Sequence, residues 1–221
     1  MNKLKFLPYC LVLASIVVGC NNEVKKGKTE DLKNPLLVKY DTNFEVPPFD
    51  LIKDEHFKPA FNEALAIHTK EIDSISNNTD SATFENTILA LENSGELLSN
   101  VRTVFGNLNS ANTNDSIQAL DLEFAPIFSA HADEISLNAK LFARVKSVYE
   151  KRANLGLDAE DIKLIEETYK GFVRSGANLS NENKEKLKKI NAELSVLSKK
   201  FGQNALAEVK TFELVVDKKE D

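Results

Sequence analysis

Residues 84–108 read F-E-N-T-I-L-A-L-E-N-S-G-E-L-L-S-N-V-R-T-V-F-G-N-L, with apolar side chains recurring in steps of three and four. Phe84, Ile88, Leu91, Leu98, Val101, Phe105 and Leu108 therefore share one face of an α-helix, and Gly95 fills the one missing step. Thr83 precedes the stripe, where its hydroxyl can accept a free first-turn N–H. Glycine in mid-helix costs about 1 kcal/mol against alanine. On an apolar stripe, Gly95 is expected to mark a close approach of another helix rather than a break. A helix of roughly seven turns with one greasy face is not stable alone in water. The remaining chain has to cover it.

The composition agrees with a helical partner. Hydrophobic residues make up 42% and charged residues 28%, there is no Trp, and Gly and Pro number only 8 and 6. Ala, Leu, Glu, Lys and Asn are abundant, a mixture that favours helices over sheets. Setting aside Lys3 and Lys5, 26 basic residues face 34 acidic ones, a balance near −8. Nucleic-acid binding rests on clustered Lys and Arg, and this balance argues against it.

Residues 1–19 have the layout of a signal peptide. Lys3 and Lys5 form a positive start, and 6–18 is an apolar run too short to span a bilayer. The run ends in V-V-G-C, resembling a bacterial lipobox, with cleavage expected between Gly19 and Cys20 and a lipid on Cys20. Cys10 would leave with the signal, so Cys20 would be the lone cysteine and no internal disulfide could form. This predicts a lipid-anchored protein of the bacterial cell envelope. Residues 20–33 are polar and nearly free of apolar side chains, which predicts a flexible tether. One domain is expected over 34–221. Its first part, 34–53, carries Pro35, Pro47 and Pro48 and should be extended chain lying on the domain.

Helical periodicity then returns repeatedly. Phe57, Phe61, Leu65, His68, Ile72 and Ile75 define a helix expected from Asp54 or Lys58 to about Ser76, its regular part beginning near Pro59, since proline suits only a first turn. After 84–108, Asn114 or Asp115 can cap a helix with Ile117, Leu120, Phe124, Ile127, Phe128 and Ile135, in which Pro126 should cause a kink or an end. Leu141, Phe142, Val145, Val148 and Tyr149 define the next. Another follows from Asp158 through Ile165, Tyr169 and Phe172 to Gly176, placed as an αL terminator. Ser180 caps the last, with Leu187, Ile190, Leu194, Leu197 and Phe201 on one face and Lys184, Lys186, Lys188 and Lys189 on a solvated one. Residues 212–216, F-E-L-V-V, read as a β-strand without a partner. The expected fold is all-α, an array of about six amphipathic helices ending in that lone strand.

The residues carry little catalytic chemistry. No G-x-S-x-G, P-loop or G-x-G-x-x-G occurs, and a lipidated Cys20 could not serve as a nucleophile. Of the three histidines, no two stand three or four apart. His131 with Asp133 and Glu134 is the nearest approach to a ligand cluster, and a helix-surface cluster is the plainer reading. His68 lies on an apolar face and is expected to be a satisfied core histidine. Glu85, Asn86 and Thr87 are expected to serve a helix start, through the dipole and local hydrogen bonds.

Several segments together resemble the N-terminal region of the zinc oligopeptidases related to thimet oligopeptidase, oligopeptidase A and bacterial peptidyl-dipeptidase. They are F-E-N-T-I-x-A-L-E-x-S-G from Phe84, N-P-L-L at 34–37, P-P-F at 47–49, H-F-K-P-A-F at 56–61, H-A-D-E-I at 131–135, L-F-A-R-V at 141–145 and F-V-R-S-G-A at 172–177. Their collinear order, more than any single piece, carries the resemblance. It implies that these helices form one wall of a channel for short peptides, and that the parent hydrolyses oligopeptides with a zinc ion, by release of C-terminal dipeptides in preference to an oligopeptidase A-like endopeptidase mode. Such zinc chemistry needs H-E-x-x-H on a helix. This sequence has none, so the resemblance places zinc and catalysis in a further part of the same protein. Arg174 matches the family segment and is a candidate substrate-channel residue, or simply a charge at a helix C-terminus. Alternatives of another class are a non-catalytic helical lipoprotein that binds peptides or a partner, and one half of a split enzyme.

Overall fold

The computed structural model describes residues 34–215 and residue 218. Gly19, Cys20, the signal peptide and the tether fall outside the described residues. Six helices of thirteen or more residues make up the domain: α1 (Asp54–Ser76), α3 (Glu96–Ala111), α4 (Asp115–Ser136), α5 (Ala139–Lys151), α6 (Ala159–Arg174) and α7 (Asn181–Thr211). Between α1 and α3 lie a π-helical turn, Phe84–Leu89, and the short α2 (Ala90–Glu92). No strand occurs among the described residues, so the fold is all-α.

The helix starts follow the expected chemistry. Thr83 Oγ1 accepts the Asn86 N–H at 3.1 Å while Asn86 Oδ1 accepts the Thr83 N–H at 2.9 Å, a reciprocal cap. Asn114, Asp158 and Ser180 cap α4, α6 and α7. Gly176, at φ 95°, closes α6 with paired bonds from Gly176 N–H to Val173 O and from Ala177 N–H to Phe172 O. That pairing is a Schellman motif.

The apolar faces gather into two clusters that share α1. Its first half packs Phe57, Ala60 and Phe61 against Val101, Val104 and Phe105 of α3 and Ile117 and Phe124 of α4. Its second half packs Ile72 and Ile75 against Phe84, Ile88, and Leu141, Phe142, Val145 and Val148 of α5, with Ile165 and Phe172 of α6. Phe61 is fully buried, with the rings of Phe105, Phe124 and Phe128 at 5.2, 4.9 and 5.0 Å.

Some expectations are corrected and others narrowed. Gly95 does break the helix expected over 84–108, adopting φ +75° as the residue before α3. α1 takes the earlier of its two expected starts, Asp54, and runs to Ser76, so Pro59 lies beyond the first turn rather than in it, and the carbonyl of Glu55 that loses its partner lies at an exposed position. Of the two outcomes expected at Pro126, a kink or an end, the end does not occur, since α4 runs on to Ser136. Residues 212–215 of the expected partnerless strand follow α7 and pair with nothing described, and Val216 lies outside the described residues. A further correction concerns α7. Its apolar stripe faces outward, with Ile190, Leu194, Leu197 and Phe201 exposed at 58, 59, 53 and 76%. Its polar side is seated on α4 instead. Lys184 Nζ donates to Leu137 O at 3.1 Å, Asn191 Nδ2 to Asp133 Oδ1 at 2.7 Å and Gln203 Nε2 to Gln118 O at 2.9 Å, while Lys199 pairs with Asp121 at 2.8 Å. Lys184 is thereby buried, its charge set at the C-terminus of α4 where the helix dipole favours a cation.

Candidate functional site

Where α1 passes α4, between the two apolar clusters, the chain brings together two half-buried histidines 63 residues apart. His68 Nδ1 and His131 Nε2 are 3.0 Å apart, with ring centroids at 4.9 Å and planes at 62°. On the far side of the His68 ring, Nε2 lies 3.3 Å from Ser94 Oγ, and Ser94 Oγ donates to Leu91 O at 2.7 Å. Because the serine proton is committed to that carbonyl, Ser94 Oγ accepts from His68 Nε2–H. His68 Nδ1 then holds a lone pair, and His131 Nε2–H donates to it.

The main chain keeps this chain of bonds in place. Glu71, one turn beyond His68, accepts the Gly95 N–H through Oε2 at 2.8 Å, tying α1 to the start of α3. A side chain at Gly95 would put its Cβ 2.8 Å from His68 Cε1. The close approach expected of Gly95 is real, and the other helix contributes an imidazole. Burial pushes both histidines below their ordinary pKa. His131 lowers His68 further while Glu71 opposes it. For His131, Glu134 opposes the shift and Arg102 adds to it. An open cleft of about 460 Å³ lies against His68, Ser94, Gly95, Ser99 and Arg102. The Arg102 guanidinium lies over the Phe128 ring at 4.7 Å.

The other residues singled out from sequence lie apart from this pair. Asp133 is buried and turned toward Asn191 of α7, and Glu134 is exposed, so His131, Asp133 and Glu134 do not converge. His56 is a capping residue, its Nδ1 accepting the Lys53 N–H at 3.0 Å. Arg174 is exposed in the last turn of α6. Among the described residues, no three His, Cys, Asp or Glu side chains are grouped to hold a metal ion.

Asn86 and Thr87 bond locally as expected, and they also receive a partner that sequence reasoning missed. Arg144 of α5 donates through Nη1 to Asn78 O and Asp80 O, at 2.8 and 2.9 Å, and through Nη2 to Asn86 Oδ1 and Thr87 Oγ1, at 2.9 and 3.2 Å. The histidine pair did leave a signal in the sequence. His68 and His131 each continue the apolar phase of a helix, after Phe61 and Leu65 and after Phe124 and Phe128. Two polar rings on core-facing stripes have to find partners, and each other is the economical choice.

Comparison with family models yields no match. Comparison with curated proteins does. Over 184 residues the chain is 44% identical to dipeptidyl carboxypeptidase of Escherichia coli and 43% identical to that of Salmonella typhimurium, covering 83% of this chain and 27% of each relative. It is 24% identical over 175 residues to oligopeptidase A of Salmonella typhimurium, covering 79% of this chain and 25% of that protein. The chain thus spans about a quarter of the length of the relatives it matches.

Proposed function

We propose that this chain, which fits a fragment of the thimet oligopeptidase family, is the helical wall of a zinc-dependent peptidase that removes dipeptides from the C-termini of short peptides. The observation that carries this is the difference in similarity. Identity of 44% to a dipeptidyl carboxypeptidase stands against 24% to an oligopeptidase A over nearly the same length. In this reading short peptides are the substrates, and the fragment's part is to bound the space that admits them.

In this reading the catalytic zinc would be held by an H-E-x-x-H segment of the parent enzyme. This sequence has no H-E-x-x-H. The outward apolar stripe of α7 supports the same reading, because an exposed row of Ile190, Leu194, Leu197 and Phe201 is a face made to be covered. The remaining three-quarters of a relative-sized protein would cover it. Lipidation at Cys20 would hold the enzyme at the cell envelope, and mass spectrometry of the membrane fraction would show the lipid.

The test is hydrolysis of an N-blocked tetrapeptide by a protein that joins this chain to an H-E-x-x-H part from the same genome. Release of the C-terminal dipeptide, abolished by chelator and restored by zinc, is the expected result. Cleavage that leaves the C-terminal dipeptide in place would favour an oligopeptidase A-like endopeptidase. Absence of any such coding sequence would overturn the enzyme reading in favour of a non-catalytic binding lipoprotein.

A further inference from the structure

We infer that the groove walled by α3 and α7 and floored by α4 seats a short peptide, extended along α3 with its C-terminal carboxylate on Arg102. The class of occupant rests on the peptidase reading above, and the seat rests on its own geometry.

Two hollows meet along this groove. The larger, of about 540 Å³, lies against Arg102, Gly106, Phe128, Ser129 and Ser195. The smaller, of about 310 Å³, lies against Gln118, Gly202, Gln203 and Leu206. They share Asn109, Asp121, Ser198 and Lys199. At that junction Asp121 of α4 ties both walls to the floor. It accepts from Asn109 Nδ2 of α3 at 3.3 Å and pairs with Lys199 Nζ of α7 at 2.8 Å. The spacing of the walls is therefore set by the fold before any occupant arrives.

Charge selects the occupant. Lys199 and Asp121 offset each other, which leaves Arg102 as the uncompensated charge lining the larger hollow. Its guanidinium rests on the Phe128 ring at 4.7 Å and joins no ion pair among the described residues. A guanidinium stacked on a ring keeps its in-plane N–H groups free, and a carboxylate can take two of them at once. Length agrees with a peptide. From Arg102 to Asn109, α3 runs seven residues. That is about 10 Å of helix axis, which about three residues of extended peptide cover. Over this span Ser129 of α4 and Ser195 and Ser198 of α7 line the hollow with hydroxyls suited to peptide N–H and C=O groups. Ser195 Oγ donates to Ala192 O at 2.7 Å and so presents an acceptor. Gly106 leaves the middle of the groove open, with nothing within 4 Å of where a Cβ would stand. Beyond the Asp121 tie, the smaller hollow takes the upstream residues of a longer peptide.

The experiment titrates the full chain with two N-acetylated tetra-alanine peptides, one ending in a free carboxylate and one in an amide, and follows imidazole ¹H–¹⁵N spectra. Arg102 helps hold His131 below its ordinary pKa, so a carboxylate that neutralises the guanidinium should raise it and move the His131 signals. His56 should not move. The free acid should bind about tenfold more tightly than the amide, as a charge-assisted hydrogen bond implies. Arg102→Gln should make the two peptides equal. Gly106→Phe fills the groove where no atom stands in its way, and should weaken the acid peptide at least tenfold while melting like the parent. Equal binding of the two peptides by the unsubstituted chain, or undiminished binding by Gly106→Phe, would overturn the inference. So would binding that vanishes once the chain is joined to its H-E-x-x-H part, because the parent's own chain would then fill the groove. None of these readouts needs zinc or cleavage, so hydrolysis can succeed with the groove empty, and the groove can fill where hydrolysis fails.

Discussion

Arg144 satisfies four acceptors at once, two carbonyls of the turn after α1 and two side chains of the π-helical turn. Its Nε is buried without a partner among the described residues, so the guanidinium is held for its outer nitrogens alone. Removing a donor from buried acceptors costs about 1–3 kcal/mol for each group stranded. Part of this set can reach water, so Arg144→Met should lower stability by about 2–4 kcal/mol, read from a denaturant melt. A change under 0.5 kcal/mol would show that water replaces it freely. Glu167 gives a second expectation. Hydrogen bonds from Lys163 and Lys170 hold its carboxyl down to about 2 from the ordinary 4.5. A depressed carboxylate stabilises the fold above its ordinary pKa, and that help fades as pH falls from about 4.5 toward 2. Glu167→Gln should therefore be less stable than the parent at pH 6 and equal to it near pH 2. The gap should shrink in high salt, because the group is fully exposed. At this scale the caps Thr83, Asn114, Asp158 and Ser180 were legible in the sequence, because a cap is a local bond. Arg144 was not, because its acceptors lie more than fifty residues away and no local pattern marks them.

The helices themselves were legible from periodicity, with a characteristic failure at Gly95. The stripe from Phe84 to Leu108 keeps its phase across the break, since two packed helices in line can imitate one. The φ of +75° there is a matter of backbone, which apolar spacing does not encode. Gly95→Ala should cost about 1–2 kcal/mol for the left-handed backbone alone. The cost should rise further because the new Cβ would press on His68 at 2.8 Å. If thermal melts of Gly95→Ala match the parent, the break is soft and the approach of His68 is not tight. The orientation of α7 was misread for a different reason. Its stripe of Leu and Ile is as regular as any in the chain, and periodicity tells which residues share a face but not what that face meets. Here the intramolecular partner took the polar side.

Across the whole molecule, stability should concentrate in the two apolar clusters and not in α7. Phe61→Ala, at the centre of four other rings, should cost about 3–5 kcal/mol. Leu194→Asp with Leu197→Lys should change stability by less than about 0.5 kcal/mol per site. The same pair should lower dye binding and self-association, since those side chains are more than half exposed. A large loss of stability would mean that the stripe is covered in solution.

One helix, α1, lends its first half to one cluster and its second half to the other. Deuterium exchange offers a measure of what that sharing entails. The clusters should not open one at a time, because opening either means releasing a helix the other still holds. Amides near Phe61 and Ile72 should exchange through a single slow event with one free energy, while those of α7 exchange early. A domain with two apolar centres would then behave, in time, as though it had only one.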